Sequence, residues 1–300
     1  MTTTQHTNPV DHTTHSAHAG HHPHAGHGEH AGHGEHAGHG EHAGHGEHAG
    51  HAEHAGHADA GPGGLLITQD GYTLALDSSI AEPGAVDFRF RILGPDGAAV
   101  TAFDPIHDRE LHLIVARRDL TGFWHVHPVR EADGTWAIRL GLPEAGLYRV
   151  FTDIAPAALG KTITLGADLA LAGRFTPLPV PTTPRTIAVD GYEVRVDGDL
   201  TEAGGPITLT VSKDGEPVTD LQPYLAAYGH LVILRAGDLA YVHVHPNGEP
   251  GDGVTPAGPE IAFHTAVPGP GTYRLFLDFR HGDVVRTAAF TLTAGPAAHH

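Results

Sequence analysis

The feature that most limits what this chain can fold into is a spacing that occurs twice. Pro105, His112, His125, His127 and Pro128 recur, at identical intervals, as Pro223, His230, His243, His245 and Pro246. Near the start of each half Gly71-Tyr72 matches Gly191-Tyr192, and near the end Gly146-Leu-Tyr-Arg-Val-Phe-Thr-Asp153 matches Gly271-Thr-Tyr-Arg-Leu-Phe-Leu-Asp278. Agreement at so many separated positions marks a duplication, so whatever one half folds into, the other must fold into as well.

The repeated unit reads as β structure. Tyr72–Leu76, Val86–Ile92 and Ile207–Val211 alternate apolar and polar residues strictly, and clusters of Gly, Pro and Asp separate such runs. Period-two alternation between turn residues is the mark of half-buried strands. No helical periodicity of useful length competes with it, so the fold class is all-β. Each half has roughly 110 residues and seven to nine expected strands, the size and rhythm of an immunoglobulin-like sandwich. The chain therefore divides into a tract over 1–63, a first sandwich over 64–175, a Pro-rich linker over 176–184, a second sandwich over 185–294 and a tail over 295–300. The linker, Thr176-Pro-Leu-Pro-Val-Pro-Thr-Thr-Pro184, is of the semi-rigid polyproline type.

Composition removes several functions. With no cysteine there is no disulfide framework, thiolate metal site or cysteine nucleophile. A formal charge of −18 lacks the basic footprint of a nucleic-acid binder. No stretch nears the ~18 consecutive apolar residues that span a bilayer. The first residues, Met-Thr-Thr-Thr-Gln-His, have no basic start followed by an apolar core. On that basis the expected compartment is the cytoplasm, with export or membrane association by another route as the alternative.

The first sixty residues are a different material. They hold 18 of the 29 histidines, one at every third position from His12 to His57, with seven interleaved carboxylates and no Lys or Arg. Almost nothing in the tract can be buried, so disorder is expected. A flexible row of imidazoles is a multidentate ligand for borderline divalent ions such as zinc, copper(II) and nickel. The candidate ligands in its repeating part are His24, His27, His30, His33, His36, His39, His42, His45, His48, His51, His54 and His57. At three or four nitrogens per ion the whole tract could carry roughly four to six ions. The competing reading is a solvated spacer whose side-chain charge would pass from −7 to +11 as its histidines protonate around pH ~6.5.

The repeated histidines are the second candidate site. Leu111–Arg117 and Phe123–His127 read as an antiparallel hairpin with His112 opposite His127. Residues two apart in a strand share a face, and directly opposed residues lie ~5 Å apart on one face. His112, His125 and His127 therefore gather on one side, while Leu111, Leu113, Val115, Trp124 and Val126 form the other. His230, His243 and His245 are expected to gather likewise, with His264 as a further nitrogen for the second cluster. The alternative is that these histidines are structural, bonded to loops at the sheet edge. Arg149 with Asp153, and Arg274 with Asp278, fall on one strand face four residues apart and read as fold-supporting contacts. For a zinc enzyme, neither triad has a matched carboxylate to act as base: Glu110 aligns with Tyr228, and Glu131 lies in a loop.

The blocks ELHLIVARRDLTGFWHVHP, YLAAYGHLVILRAGDLAYVHVHP and GTYRLFLDFRHGDVVRTAAFTLT resemble bacterial tandem β-sandwich proteins of the YtkA-like and FixH-like kind. The tract is similar in composition to the His-rich leaders of copper-exporting P-type ATPases and the His-rich tails of nickel chaperones. The resemblance implies immunoglobulin-like domains associated with heavy-metal handling. The function expected from the whole is non-catalytic sequestration, buffering or relay of copper, zinc or nickel. A metal transporter or chaperone is then the partner class, and no nucleic acid is involved. A structural or partner-binding sandwich protein with a His-rich spacer is the alternative.

Overall fold

The structure, a computed structural model, describes residues 62–242 and 244–295, His245 by its main chain only. In the first repeat the strands are β1 (Thr68–Gln69), β2 (Tyr72–Leu76), β3 (Ile80–Ala81), β4 (Gly84–Leu93), β5 (Phe103–Asp104), β6 (Leu111–Arg117), β7 (Phe123–Val126), β8 (Val129–Arg130), β9 (Thr135–Leu142), β10 (Gly146–Pro156) and β11 (Ile163–Leu171). They form two sheets, β1-β2-β4-β9-β8 and β3-β11-β10-β6-β7, with β5 added on β10. The second repeat runs β12 (Thr186–Val189), β13 (Tyr192–Asp197), β14 (Gly205–Lys213), β15 (Glu216–Pro217), β16 (Gly229–Arg235), β17 (Tyr241–Val242), β18 (His245–Pro246), β19 (Glu260–Thr265), β20 (Gly271–His281) and β21 (Val284–Ala294). Its sheets, β12-β13-β14-β19-β18 and β17-β16-β20-β21, follow the same order. The repeats exceed the expected seven to nine strands because several pairings are only two residues long. Among the described residues there is no helix, and so none long and apolar enough to cross a membrane.

The strand alternation read from the sequence corresponds to burial. In β4 Val86, Phe88, Phe90 and Ile92 point inward, and in β14 Ile207, Leu209 and Val211 do so. The first core gathers these β4 side chains with Leu113, Val115, Trp124, Trp136 and Tyr148, while the second holds Ile233, Phe263, Tyr273, Leu275 and Leu277. Each repeat also closes one corner with a tyrosine. Tyr148 Oη donates to the carbonyl of Glu144 at 2.8 Å, and Tyr273 Oη to that of Gly269 at 2.6 Å. Such a corner is a hallmark of immunoglobulin-like sandwiches.

A third apolar cluster belongs to neither core. Ile114, Ala116, Leu120 and Phe151 of the first repeat pack against Val232, Leu234, Leu239, Tyr241 and Phe276 of the second. Phe123 stacks on Phe276 with ring centres 4.0 Å apart and planes 5° apart. The two sandwiches therefore dock through the sheet faces turned away from their cores. Every residue of β6 is buried, because its outward face meets the other domain as its inward face meets its own. The segment before β1 lies along this seam: Tyr241 donates its main-chain N–H to Gly63 O at 2.9 Å, and Arg149 donates Nη2 to Gly64 O at 2.8 Å. Gly64 sits at φ 73° with Phe151 so close that a β-carbon there would meet its ring at 2.5 Å. Only glycine fits that left-handed, crowded position.

The Pro-rich linker is tied to both sandwiches. Leu178 donates its N–H to Asp119, and Thr291 donates to Thr183 Oγ1 and to the carbonyl of Pro181.

Replacing Phe276 by alanine removes a buried ring from this seam, a change that costs about 3–5 kcal/mol in well-packed sites. The expected outcome in calorimetry is an earlier thermal transition that splits into two, because the lost contact joins the domains and lies outside either core.

Candidate metal centre

β6 and β7 pair with Leu113 opposite Val126, Ile114 opposite His125 and Val115 opposite Trp124. Continued by one step, this register puts His112 opposite His127, as the hairpin reading expects. The faces also divide as expected: Leu113, Val115, Trp124 and Val126 join the core, and His112 lies on the outer face with Ile114 and Ala116. That face meets the second sandwich, so the histidines sit at the seam between domains.

The three side chains converge. A ring nitrogen from each of His112, His125 and His127 lies within 4.8 Å of the other two. His112 Nδ1 is 3.0 Å from His125 Nε2 and 3.1 Å from His127 Nε2. The far nitrogens are committed elsewhere. His112 Nε2 donates to the carbonyl of Ile106 at 2.8 Å, and His125 Nδ1 donates to Asp278 Oδ2 at 2.8 Å. Since a carbonyl and a carboxylate only accept, each far nitrogen carries its ring's proton. In neutral rings His112 Nδ1 and His125 Nε2 then face each other with bare lone pairs. A cation between them, either a proton or a metal ion, removes that conflict.

Burial keeps His112, His127 and His230 neutral. It pulls His112 down to about 4, helped by the neighbouring His125. His127 falls to about 2, first through burial and then through His125 and His112. His230 falls to about 3, through burial and then His125 and His107. Charging any of these rings would leave a cation stripped of its hydration in a buried place.

The second repeat joins this same cluster. His230 is 7 % exposed, and its ring centre lies 5.0 Å from that of His107, 6.1 Å from His125 and 6.2 Å from His112. Its Nε2 donates to the carbonyls of Tyr224 and Leu225, both at 2.9 Å, as His112 Nε2 donates to Ile106. The turns presenting those carbonyls match: His107 and Asp108 have φ 46° and 64°, Leu225 and Ala226 54° and 58°. A leucine and an alanine in left-handed conformation cost about 1–3 kcal/mol each. Both repeats keep that strain at the turn that fixes the histidine's proton.

Both repeats cross to the opposite sheet after this hairpin, the first at Val129 on β9 and the second already at His245, which pairs by its backbone with His264 of β19. His264 is exposed on β19, where Ile261 and Phe263 face the core. It therefore lies on the side of the sandwich away from His230, and the expected fourth nitrogen for that cluster does not come from it. His243 lies outside the described residues, as do the tract histidines from His24 to His57.

The aspartates differ from their sequence reading too. Arg149 pairs with Asp168 at 3.0 Å, not with Asp153, and Arg274 donates to Thr291 Oγ1. Asp153 accepts from Thr164 Oγ1, and Asp278 from Thr287 Oγ1 and His125. The sequence reading missed Asp278 and Ile106 as parts of the site, and it had His107 as a candidate ligand whose aligned position in the second repeat is Leu225. A visible signal existed for Asp278: it recurs at the place of Asp153, beside a histidine strand. Next to the cluster is a cavity of about 460 Å³ lined by Pro105, His107, Asp108, Ala226, Pro246, Gly248 and Glu249.

The sequence profile of a family described as a domain of unknown function (DUF8832) matches residues 67–170 and again 187–295. A comparison with curated proteins finds no match. Among solved structures, InvD of Yersinia pseudotuberculosis aligns at 12 % identity over 78 % of this chain, with TM-score 0.25, and this chain covers 61 % of it. Invasin, described as a bacterial integrin-binding protein, aligns at 12 % identity over 75 % of this chain and 39 % of its own, TM-score 0.22. The D0-D1 domain of intimin aligns at 10 % identity over 73 % and 96 %, TM-score 0.20. The two matches of one profile bear out the duplication read from the sequence, the paired sheets and tyrosine corners bear out the immunoglobulin-like sandwiches, and the profile that matches is that of DUF8832.

The buried histidines give the metal-free protein a pH dependence with a definite sign. Unfolded histidines protonate near pH ~6.5, whereas His112 and His230 wait until about 4 and 3. Between those limits the unfolded chain binds more protons, so stability falls as pH drops below ~6.5 and is flat above it. Denaturant unfolding at pH 7.5, 6 and 4.5 should show that fall, and the double variant His112→Asn with His230→Asn should show a shallower one. Equal slopes would contradict it.

Proposed function

The chain belongs to the family described as domain of unknown function DUF8832, with two copies of its domain, and we propose, from the geometry of the cluster, that it binds a divalent transition-metal ion at His112, His125 and His127. The observation that carries this reading is the pair of ring nitrogens 3.0 Å apart whose partner nitrogens already hold the protons. Three imidazoles at 2.0–2.1 Å from a tetrahedral zinc ion stand about 3.3–3.4 Å apart, so separations of 3.0 and 3.1 Å need only a slight opening. Metal-bound histidines almost always donate their outer N–H to a carbonyl or carboxylate, and Ile106 O and Asp278 fill those roles. Neutral imidazole suits zinc, copper(II) and nickel alike, and a three-histidine set leaves a position open for exchange.

Among the described residues the carboxylates nearest the rings have holding roles: Asp278 accepts from Thr287 and His125, and Asp153 accepts from Thr164. The function is non-catalytic holding, buffering or relay, with the His-rich tract as a high-capacity store. The cavity beside His107, walled partly by Asp108 and Glu249, offers a cation-attracting way in. A metal transporter or chaperone is the partner such a relay would serve, in the cytoplasm or across a membrane from it.

One observation favours a second reading. The cluster lies at a packed seam, and a proton shared between His112 and His125 beside Asp278 would also satisfy it. The histidines would then be interdomain struts in a structural or partner-binding protein. Zinc calorimetry with elemental analysis separates the two on the full chain. The triple variant of His112, His125 and His127 to alanine should hold one ion fewer per chain than the parent, and His264→Ala the same number. Equal stoichiometry in parent and triple variant would leave the strut reading in possession.

A further inference from the structure

We infer that this metal site is completed across the domain boundary, with Asp278 of the second sandwich as the positioning residue for His125 of the first. Ion binding and docking of the two sandwiches are then one linked equilibrium. The inference rests on the metal-site reading above and adds a consequence to it.

The geometry is specific. The side chains of His125 and Asp278, 153 residues apart, are 4 % and 5 % exposed and meet at 2.8 Å. Asp278 is itself fixed, since Thr287 Oγ1 donates to its other oxygen at 2.5 Å. It stands directly across from His230 in the β16–β20 pairing, as Asp153 stands across from His112 in the β6–β10 pairing. The first sandwich thus owns an aspartate at the matching place, held by Thr164 at 2.9 Å, yet His125 takes its carboxylate from the other domain.

The chemistry follows from that contact. A carboxylate on Nδ1–H holds the ring in the Nε2-ligating tautomer, aims Nε2 at His112 and His127, and makes it a better donor to a cation. If the domains separate, His125 loses this partner and its tautomer is no longer fixed. A ligand that binds one state better stabilises that state, and the coupling is reciprocal. An ion on the first sandwich must therefore tighten the second sandwich, although no residue of the triad belongs to it.

The test uses the full chain and zinc, with the His112→Ala chain as the reference for ions taken up elsewhere. Zinc affinity is measured by competition with a chromophoric chelator, and hydrogen exchange is followed in peptides covering β16 and β20. Asp278→Asn keeps the shape and an acceptor for Thr287, but its amide can turn and stabilise the wrong tautomer. It should weaken the His112-dependent affinity 10- to 100-fold, the range expected for such outer partners. Zinc should slow exchange in β16 and β20 of the parent, and fail to do so in Asp278→Asn even at saturation. If Asp278→Asn unfolds without metal, Asp278→Ser takes its place under the same expectations. A His112-dependent affinity within threefold of the parent, or exchange in β16 unmoved by zinc in the parent, would overturn the coupling and leave the site intact. Equal zinc binding by the parent and the His112→Ala chain would overturn the site and the coupling together.

Discussion

The structure depends on one sheet of each sandwich being buried on both faces. An antiparallel sheet in a two-layer sandwich usually has one face on the core and one in water. Here the outer face of β6 and β10 meets the outer face of β16 and β20, through Ile114, Phe151, Val232, Leu234 and Phe276. Once that contact forms, each polar group on those faces must find a protein partner or carry the cost of an unmet one. His112 finds Ile106 O, Arg149 finds Gly64 O and Asp168, and Asp278 finds Thr287 and His125. Two parts of this accounting stay open: Arg274 Nε is buried without a partner, and the histidine cluster is not closed by neutral side chains alone.

The duplication explains why the parts recur and why they are used unequally. Both repeats keep the left-handed turn, the carbonyl it presents, the histidine that receives it, and an aspartate one strand away bonded to a threonine. They diverge where the strand after the hairpin turn changes sheets. In the first repeat β7 stays with β6 through Val126, which holds His125 against Ile114. In the second the described pairing with β16 covers Tyr241 and Val242, and the chain has joined β19 by His245. A shift of a few residues in that crossing sends equal sequence spacings to different sheets. The repeats are thus equal in parts and unequal in geometry, with a described triad on the first sandwich and His230 reaching it from the second.

The histidine face also differs from an ordinary surface site. Burial lowers the affinity of His112 and His127 for protons, so near neutrality their lone pairs stay available. In the same setting a carbonyl or carboxylate on the outer nitrogen matters more than it would in water, because nothing else competes for the proton.

Much of this was legible in the residues. Alternation along Val86–Ile92 and Ile207–Val211 fixed strands and their inward faces, and the repeated spacing fixed two copies of one domain. The hairpin register that brings His112 opposite His127 follows from the same two-residue period, which is local and survives without knowledge of neighbours. Docking is another matter. Periodicity tells which side chains share a face and says nothing about what covers that face, so Ile114 and Phe151 look like spare apolar positions until Val232 and Phe276 lie on them. For the same reason Arg149 and Asp153, four apart on one strand, looked like partners but turn to Asp168 and Thr164. The strand hydrogen bonds and core faces were determined by neighbours in sequence. The seam, and Asp278 reaching His125 from 153 residues away, were decided only when two folded surfaces met.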